Sequence, residues 1–288
     1  MPSERRKETN HMLLFELLKS FLLGIVEGIT EWLPVSSTGH MILLNEVLSL
    51  NVTPEFWELF EVVIQLGAIL AVVLLFFRRL NPFALSKTAE EKRGTWNLWF
   101  LVILAILPSA VIGLLFDDWI NETLYNPWTV AVMLIVYGIA FLFVEKARQN
   151  RPLRIDQVER IGWRDALLIG AFQTLAIIPG TSRSGATILG AMMFGMSRTA
   201  AAEFSFFLAI PTMAGASFLK GLKFFMAGNV ISGTEWAILL VGCLSAFVTS
   251  LLVIRGLMDY VRRHSFSVFG VYRIVLGVIV LSFFLLFR

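Results

Sequence analysis

The chain has one cysteine, three histidines and little charge of either sign. Each shortage excludes something. With Cys243 alone there is no intrachain disulfide. Charged residues fill 16 % of the 288 positions and apolar residues 57 %; ordinary soluble domains carry about 25 % and 45–50 %, so a soluble globular domain is excluded. A net charge of +3, carried mostly in loops, is too small for a nucleic-acid binder, and no nucleic-acid partner is expected. Apolar residues run continuously rather than alternating, which excludes a transmembrane β-barrel. The opening MPSERRKETNH is polar. The apolar stretch behind it is interrupted by Glu16, Lys19 and Glu27 and lacks a small-residue cleavage site, so it reads as mature protein rather than a removable signal.

What the sequence has in abundance is apolar length. Mean hydropathy is +0.76, and several runs reach the ~20 residues that span a bilayer. The pattern predicts an all-α polytopic membrane protein. Full spans fall near 57–77, 97–116, 128–145, 203–220, 236–254 and 268–287. Trp57, Trp99, Trp119, Trp128 and Trp236 stand at their ends, where indole rings favour the interface. Residues 1–12 read as a frayed polar tail and 13–288 as a single membrane domain.

Two further apolar regions, about 13–48 and 165–196, are broken near the middle by proline, glycine and hydroxyl residues. Each is expected to be a re-entrant helix–loop–helix, because a break at membrane depth survives only where it is buried in protein or lines a cavity. The two resemble each other. Gly24-x-x-Glu27 matches Gly170-x-x-Gln173, and Pro34-x-Ser-Ser-x-Gly39 is similar to Pro179-x-x-Ser-x-Ser-Gly185. Glu55-Phe56 precedes Gly67-Ala68 as Glu203-Phe204 precedes Gly215-Ala216. Each broken region is followed by three spans. An odd number inverts the second half, which predicts an inverted-topology repeat, about 13–148 and 162–288, with the active site at the repeat interface near the midplane.

Orientation follows from basic segments. Arg78, Arg79, Lys87, Lys92 and Arg93 lie in 78–93, six basic residues in 146–164, and Arg255, Arg262 and Arg263 in 255–264. Segment 117–127 has no Lys or Arg, but holds Asp117, Asp118 and Glu122. The positive-inside rule places the three basic segments in the cytoplasm and both termini outside, with Arg5, Arg6 and Lys7 pulling the other way.

Glu27 and Glu31 are four residues apart on one helix face. Two carboxylates close together in a low dielectric cannot both stay ionised without a cation. Hard oxygen ligands suit Mg²⁺ or Ca²⁺, and Mg²⁺ is commonly held by one or two carboxylates plus substrate phosphates. The bland alternative is a protonated or interfacial carboxylate, which suits Glu16 and Glu46. Ser36, Ser37, Thr38 and His40 follow a proline turn. If Ser37 opens a helix, His40 shares its face, and a serine beside an imidazole is the minimum for an activated nucleophile. The same spacing also suits a plain helix cap. His11 and His264 read as solvated residues. Pro179-Gly-Thr-Ser-Arg-Ser-Gly-Ala-Thr187 reads as an anion loop. Gly180 and Gly185 permit close backbone approach, Arg183 offers a two-donor fork, and Ser182, Ser184 and Thr187 add hydroxyls. It is not a nucleotide P-loop, since no Gly-Lys-Ser/Thr ending follows a strand. Arg273, early in the last span, reads as a snorkelling arginine.

EGITEWLPVSSTGH (27–40) and PGTSRSGAT (179–187) resemble the two signature motifs of the undecaprenyl-diphosphate phosphatase, or bacitracin-resistance, family. EVVIQLG (61–67) and EFSFFLAIP (203–211) are similar to it as well. The resemblance covers all but the N-terminal tail. It implies a divalent-metal-dependent enzyme of the bacterial inner membrane. Such an enzyme hydrolyses the carrier-lipid diphosphate to the monophosphate, which supports cell-wall synthesis and bacitracin resistance. By position it implies roles for Glu27, Glu31, Ser37, His40, Ser182, Arg183 and Thr187. The substrate implied is a prenyl diphosphate among bacterial membrane lipids, met in a site that opens toward the periplasmic side. A homodimer is compatible with this reading. The nucleophile is left open between Ser37, His40 and water. A different lipid-phosphatase plan, with Lys-x6-Arg-Pro and a distal histidine–aspartate pair, is missing from the chain. A transporter is the competing class, because inverted repeats with broken helices and a polar midplane are what secondary transporters show.

Overall fold

The computed structural model describes residues 2–149 and 151–287. Expectations that rest on the side chains of Arg5, Arg6, Lys7, Asp117 and Asp118 lie outside the described side chains. Among the described residues the chain is helical, with one isolated bridge, Ile155 to Met196, as its only β feature. In order the helices are α1 (Pro2–Thr30), α2 (Ser37–Leu48), α3 (Pro54–Leu75), α4 (Phe77–Leu80), α5 (Ala89–Leu124), α6 (Pro127–Arg148), α7 (Trp163–Thr174), α8 (Arg183–Met193), α9 (Arg198–Met226), α10 (Gly233–Arg263) and α11 (Ser267–Phe287). Six of them, α3, α5, α6, α9, α10 and α11, are long and apolar enough to cross a membrane. Each overlaps one of the six expected spans, and α5, α9 and α10 run well past theirs. Their starts are written locally: Thr53, Thr88, Asn126, Ser197 and Ser232 each cap a helix, with Pro54 and Pro127 in the first turn.

Two expectations of local structure are corrected. The polar start is not frayed: α1 begins at Pro2, because Glu, Arg and Lys are good helix formers and proline is tolerated in a first turn. The span expected to end near 116 also runs on through most of the acidic segment. With no proline or glycine between Gly113 and Pro127, α5 continues to Leu124 and leaves only a short turn before α6.

Each broken region folds back on itself. In the first, α2 returns along α1, so that Lys19 donates to Ser49 O at 2.8 Å and Glu16 accepts from Asn51 N at 2.8 Å. In the second, Arg154 ties the start of α7 to the end of α8 through Asp165 and Phe194 O. The two hairpins open at opposite ends of the bundle. The first opens beside the start of α10, where Ser20 bonds Ile238 O at 2.6 Å. The second opens among the basic segments, where Arg79 pairs with Glu159 and Glu203, and Glu145 holds both Arg198 and the Phe266 amide. Their tips meet inside the bundle.

Partners are exchanged between halves. α1 packs on α10, and α7 on α5. Gly24 and Gly170, the matched glycines of the two halves, are where these pairs touch: an added Cβ would overlap backbone of Gly242 and of Ala105. The equivalent helices α3 and α9 lie antiparallel, with Ser217 reaching Val62 O at 3.1 Å and Arg79 reaching Glu203. α6 and α11 do the same, with Gly138 against Gly270.

Candidate active site

The first tip is the turn Glu31–Ser36 between α1 and α2. The second is the turn between the 3₁₀ segment Leu175–Ile177 and α8. Both end on a serine in the left-handed region, Ser36 at φ 71° and Ser182 at φ 72°. Each serine caps the next helix by accepting from a glycine amide three residues on, Gly39 at 3.4 Å and Gly185 at 3.1 Å. A positive φ on a non-glycine residue is uncommon and concentrates at functional sites. The N-termini of α2 and α8, one from each half, therefore converge. Unpaired first-turn amides and the helix dipole favour an anion there.

Glu31 joins the halves. Its Oε2 accepts from Ser37 Oγ at 2.9 Å, and its Oε1 from Arg183 Nη2 at 2.8 Å. Its backbone carbonyl accepts from Ser184 Oγ at 3.1 Å. Arg183 is held in turn by Ser205, through Nη1 to the carbonyl at 2.7 Å and the hydroxyl at 3.2 Å. Its guanidinium lies 5.9 Å from the buried Trp32 ring. The Nε of Arg183 is buried without a partner. One edge of the fork thus carries Glu31 on Nη2 and nothing on Nε.

A match to the bacitracin resistance protein BacA family covers residues 20–279. The chain belongs to that family. It is 55 % identical over 270 residues to an undecaprenyl-diphosphatase of Streptococcus thermophilus, covering 94 % of each chain. Against those of Enterococcus faecalis and Streptococcus mutans it is 53 % identical over 274 residues and 54 % identical over 273, covering 95 % and 94 % of this chain and 99 % and 97 % of theirs.

Most of the residues singled out from the BacA motifs are brought together: Glu27, Glu31, Ser36, Ser37, Gly180, Ser182, Arg183, Ser184 and Thr187 line the two tips or their first turns. Thr38 is half-buried in the first turn of α2. Several roles differ from expectation. Ser37 does not bond His40. His40 Nδ1 lies 2.8 Å from Ser36 O, and Nε2 lies 2.6 Å from Tyr272 OH, with the two rings stacked. A carbonyl only accepts, so Nδ1 carries the proton and Nε2 takes the tyrosine's. The reason is geometric: Ser37 is the first residue of α2, and its hydroxyl turns back to Glu31. Ser184 and Thr187 are also spent on protein oxygens. Thr187 Oγ1 bonds Arg183 O at 2.9 Å and Ser205 Oγ at 2.7 Å, so it steadies the arginine rather than offering a free hydroxyl.

Arg273 is the largest correction. It does not snorkel; it is fully buried, with its guanidinium on the backbone of both tips. The signal that could have found it was present, since an ionisable residue inside an apolar span is a functional candidate by default. Ser205, Trp32 and Tyr272 were also missed, and only the fold brings them here.

The carboxylate pair fits a cation in part. Glu27 is 1 % exposed and its Oε1 has no hydrogen-bond partner, which suits an oxygen that ligates a metal. Both oxygens of Glu31 are engaged. Among the described residues no group of three His, Cys, Asp or Glu side chains converges. A cation held here would draw on Glu27 and on Glu31 only once a Glu31 oxygen is released, and would take the rest of its shell from substrate and water, as Mg²⁺ commonly accepts.

Proposed function

We propose that this chain is an integral-membrane phosphatase that hydrolyses undecaprenyl diphosphate to undecaprenyl phosphate and inorganic phosphate. The observation that carries the reading is Glu31, which links Ser37 of one half to Arg183 of the other at hydrogen-bond distance inside an apolar bundle. A hydroxyl, a carboxylate and a guanidinium at two converging helix N-termini form a phosphoryl-transfer site. They would have no use in a channel for an apolar solute.

Arriving phosphate oxygens take the Nε–Nη2 edge of Arg183, which matches them with two parallel donors. Glu31 then loses its guanidinium partner on Oε1, while Oε2 stays on Ser37 Oγ as the proton acceptor. Ser37 Oγ attacks the terminal phosphorus and its proton passes to Glu31. The bond from phosphorus to the bridging oxygen breaks, and prenyl monophosphate leaves. Water then hydrolyses the phosphoserine and inorganic phosphate departs. Arg183 and the amides of α2 and α8 stabilise the charge that builds on the phosphoryl oxygens. Glu27 and Glu31 are the residues that would hold Mg²⁺ or Ca²⁺, whose chemistry is to neutralise diphosphate charge. His40, held by Tyr272, is the alternative nucleophile.

The two hairpins are read as re-entrant from opposite faces of a bacterial inner membrane, with the basic end cytoplasmic. The site opens to the periplasmic side. Support comes from a polar contact at the other end of the bundle from the basic segments: Glu61 Oε2 accepts from Tyr125 OH at 3.2 Å just past the end of α5. In a Cys243→Ala background, cysteines at Leu85 and Leu153 should be shielded from an impermeant thiol reagent outside the cell, and one at Glu122 should react. The reverse pattern overturns the orientation.

The deciding experiment is phosphate release by the purified protein from undecaprenyl diphosphate. Release should stop in chelator and return with Mg²⁺ or Ca²⁺. No release under any condition would leave the transporter reading in its place; full activity in excess chelator would remove the metal.

A further inference from the structure

Arg183 is half-buried and Arg273 fully buried, and they are partnered in opposite ways. Arg183 has a carboxylate at 2.8 Å. Arg273 has only carbonyls. Its Nη1 donates to Pro34 O at 3.1 Å, and its Nη2 to Gly180 O at 2.8 Å, Thr181 O at 2.9 Å and Met133 O at 3.4 Å. Tyr137 presents its ring face at 5.5 Å, and Nε has no partner. Among the described residues no carboxylate lies within ion-pair distance of it. A buried charge is normally paired with an opposite one, because carbonyl dipoles replace hydration only in part.

We propose that Arg273 is a positioning residue and the second fixed cation of the diphosphate site. Pro34 belongs to the first tip and Gly180 and Thr181 to the second, so one guanidinium sets their register across the repeat interface. Only a planar fork with several fixed donors reaches carbonyls from both tips. The carbonyl and N–H of a trans peptide point in opposite directions. Holding Thr181 O therefore sets where Ser182 N–H points, at the entrance to α8. Gly180 fits this turn because its φ is +89°. Gly185 fits because a Cβ there would stand 3.2 Å from Arg273 Nη1. The charge of Arg273 has no counter-charge in the protein, and the incoming diphosphate supplies it. The residue is fully enclosed, so it acts through the tips and its field, not by touching the substrate.

This inference rests on the phosphatase reading, so wild-type turnover and binding of methylenediphosphonate, a non-hydrolysable diphosphate, are measured first. A wild-type protein that neither releases phosphate nor binds the diphosphonate sinks that reading, whatever Arg273 does. Arg273→Lys and Arg273→Gln are then compared by kcat, KM, diphosphonate Kd and melting temperature, per folded molecule. Lysine keeps the charge and loses the fork: kcat should fall about 10-fold with Kd within about 3-fold of wild type. Glutamine loses both: kcat should fall about 100-fold and Kd weaken about 10-fold. Wild-type kcat per folded molecule in either variant, with only the melting temperature lowered, overturns the positioning role. Equal diphosphonate affinity in the two variants overturns the charge role. If neither variant folds, Gly185→Ala disturbs the Arg273 contact and keeps the charge. Its kcat should fall several-fold with KM unchanged, and wild-type kcat there overturns the positioning role.

Discussion

At the first tip Ser36 turns the chain at φ 71° and caps α2 through the Gly39 amide; at the second Ser182 turns it at φ 72° and caps α8 through Gly185. The backbone device is the same and the side chains are not. The first tip carries Glu27, Glu31, Ser37 and His40, and the second carries Arg183 with hydroxyls that steady it. The matched pair Glu27 and Gln173 makes the difference plain. Each has a buried Oε1 with no hydrogen-bond partner. Gln173 is neutral and rests its amide on Ser109 at 2.8 Å, so its orphan oxygen costs about one hydrogen bond. Glu27 as a carboxylate needs a counter-charge. On the proposed reading, one half is the acidic, cation-ready side of the site and the other the anion clamp, and the phosphatase needs both.

That division can be broken most severely at Arg183. Arg183→Ala removes the clamp and should lower turnover by about 10³ or more. Arg183→Lys keeps the charge without the fork and should still lose most activity while folding normally. Specific activity beside thermal stability checks both; a Lys variant with wild-type turnover would end the clamp role. On the acidic side, Glu31→Gln and Glu27→Gln should each bring activity down to the level of chelated wild type, a loss of about 10² or more. The second makes the first half like the second at its Gln173 counterpart. A Glu27→Gln enzyme that still responds to Mg²⁺ would show that Glu27 is not the cation's residue.

Ser37→Ala should cost at least ~10² in kcat. Near-normal turnover in Ser37→Ala, with His40→Ala inactive, would transfer the attack to His40 and demote the Ser37–Glu31 bond to a helix-start contact. The smallest effects test the shared device. Ser36→Gly and Ser182→Gly relieve the left-handed strain and lose the cap, and should shift stability by only a few tenths of a kcal/mol, equally in both halves. Ser36→Ala and Ser182→Ala lose the cap without relief and should each cost about 1–2 kcal/mol. Thermal unfolding in detergent measures all four. A clear inequality between the halves would mean that the two turns are not equivalent.

Much of this was legible along the chain. Apolar runs of spanning length dictate helices in any fold, so all six spans could be placed from composition alone. Ionisable and hydroxyl residues within such runs are costly enough to mark themselves, and EGITEWLPVSSTGH and PGTSRSGAT did so. What stayed hidden was the pairing. The serine–histidine spacing of one helix turn pointed to a couple that the fold does not make. Ser37 answers to Glu31 and His40 to Tyr272, because hydroxyl direction at a helix start depends on the turn before it. Arg273 read as a snorkelling residue because its partners are carbonyls of Pro34, Gly180 and Thr181, and backbone acceptors leave no trace in a sequence. Helix, span and motif are local or periodic properties, and the sequence by itself determined them. Which carboxylate meets which guanidinium across two halves far apart in the chain is set by the packing of α1 on α10 and α7 on α5, and only the tertiary structure decided it.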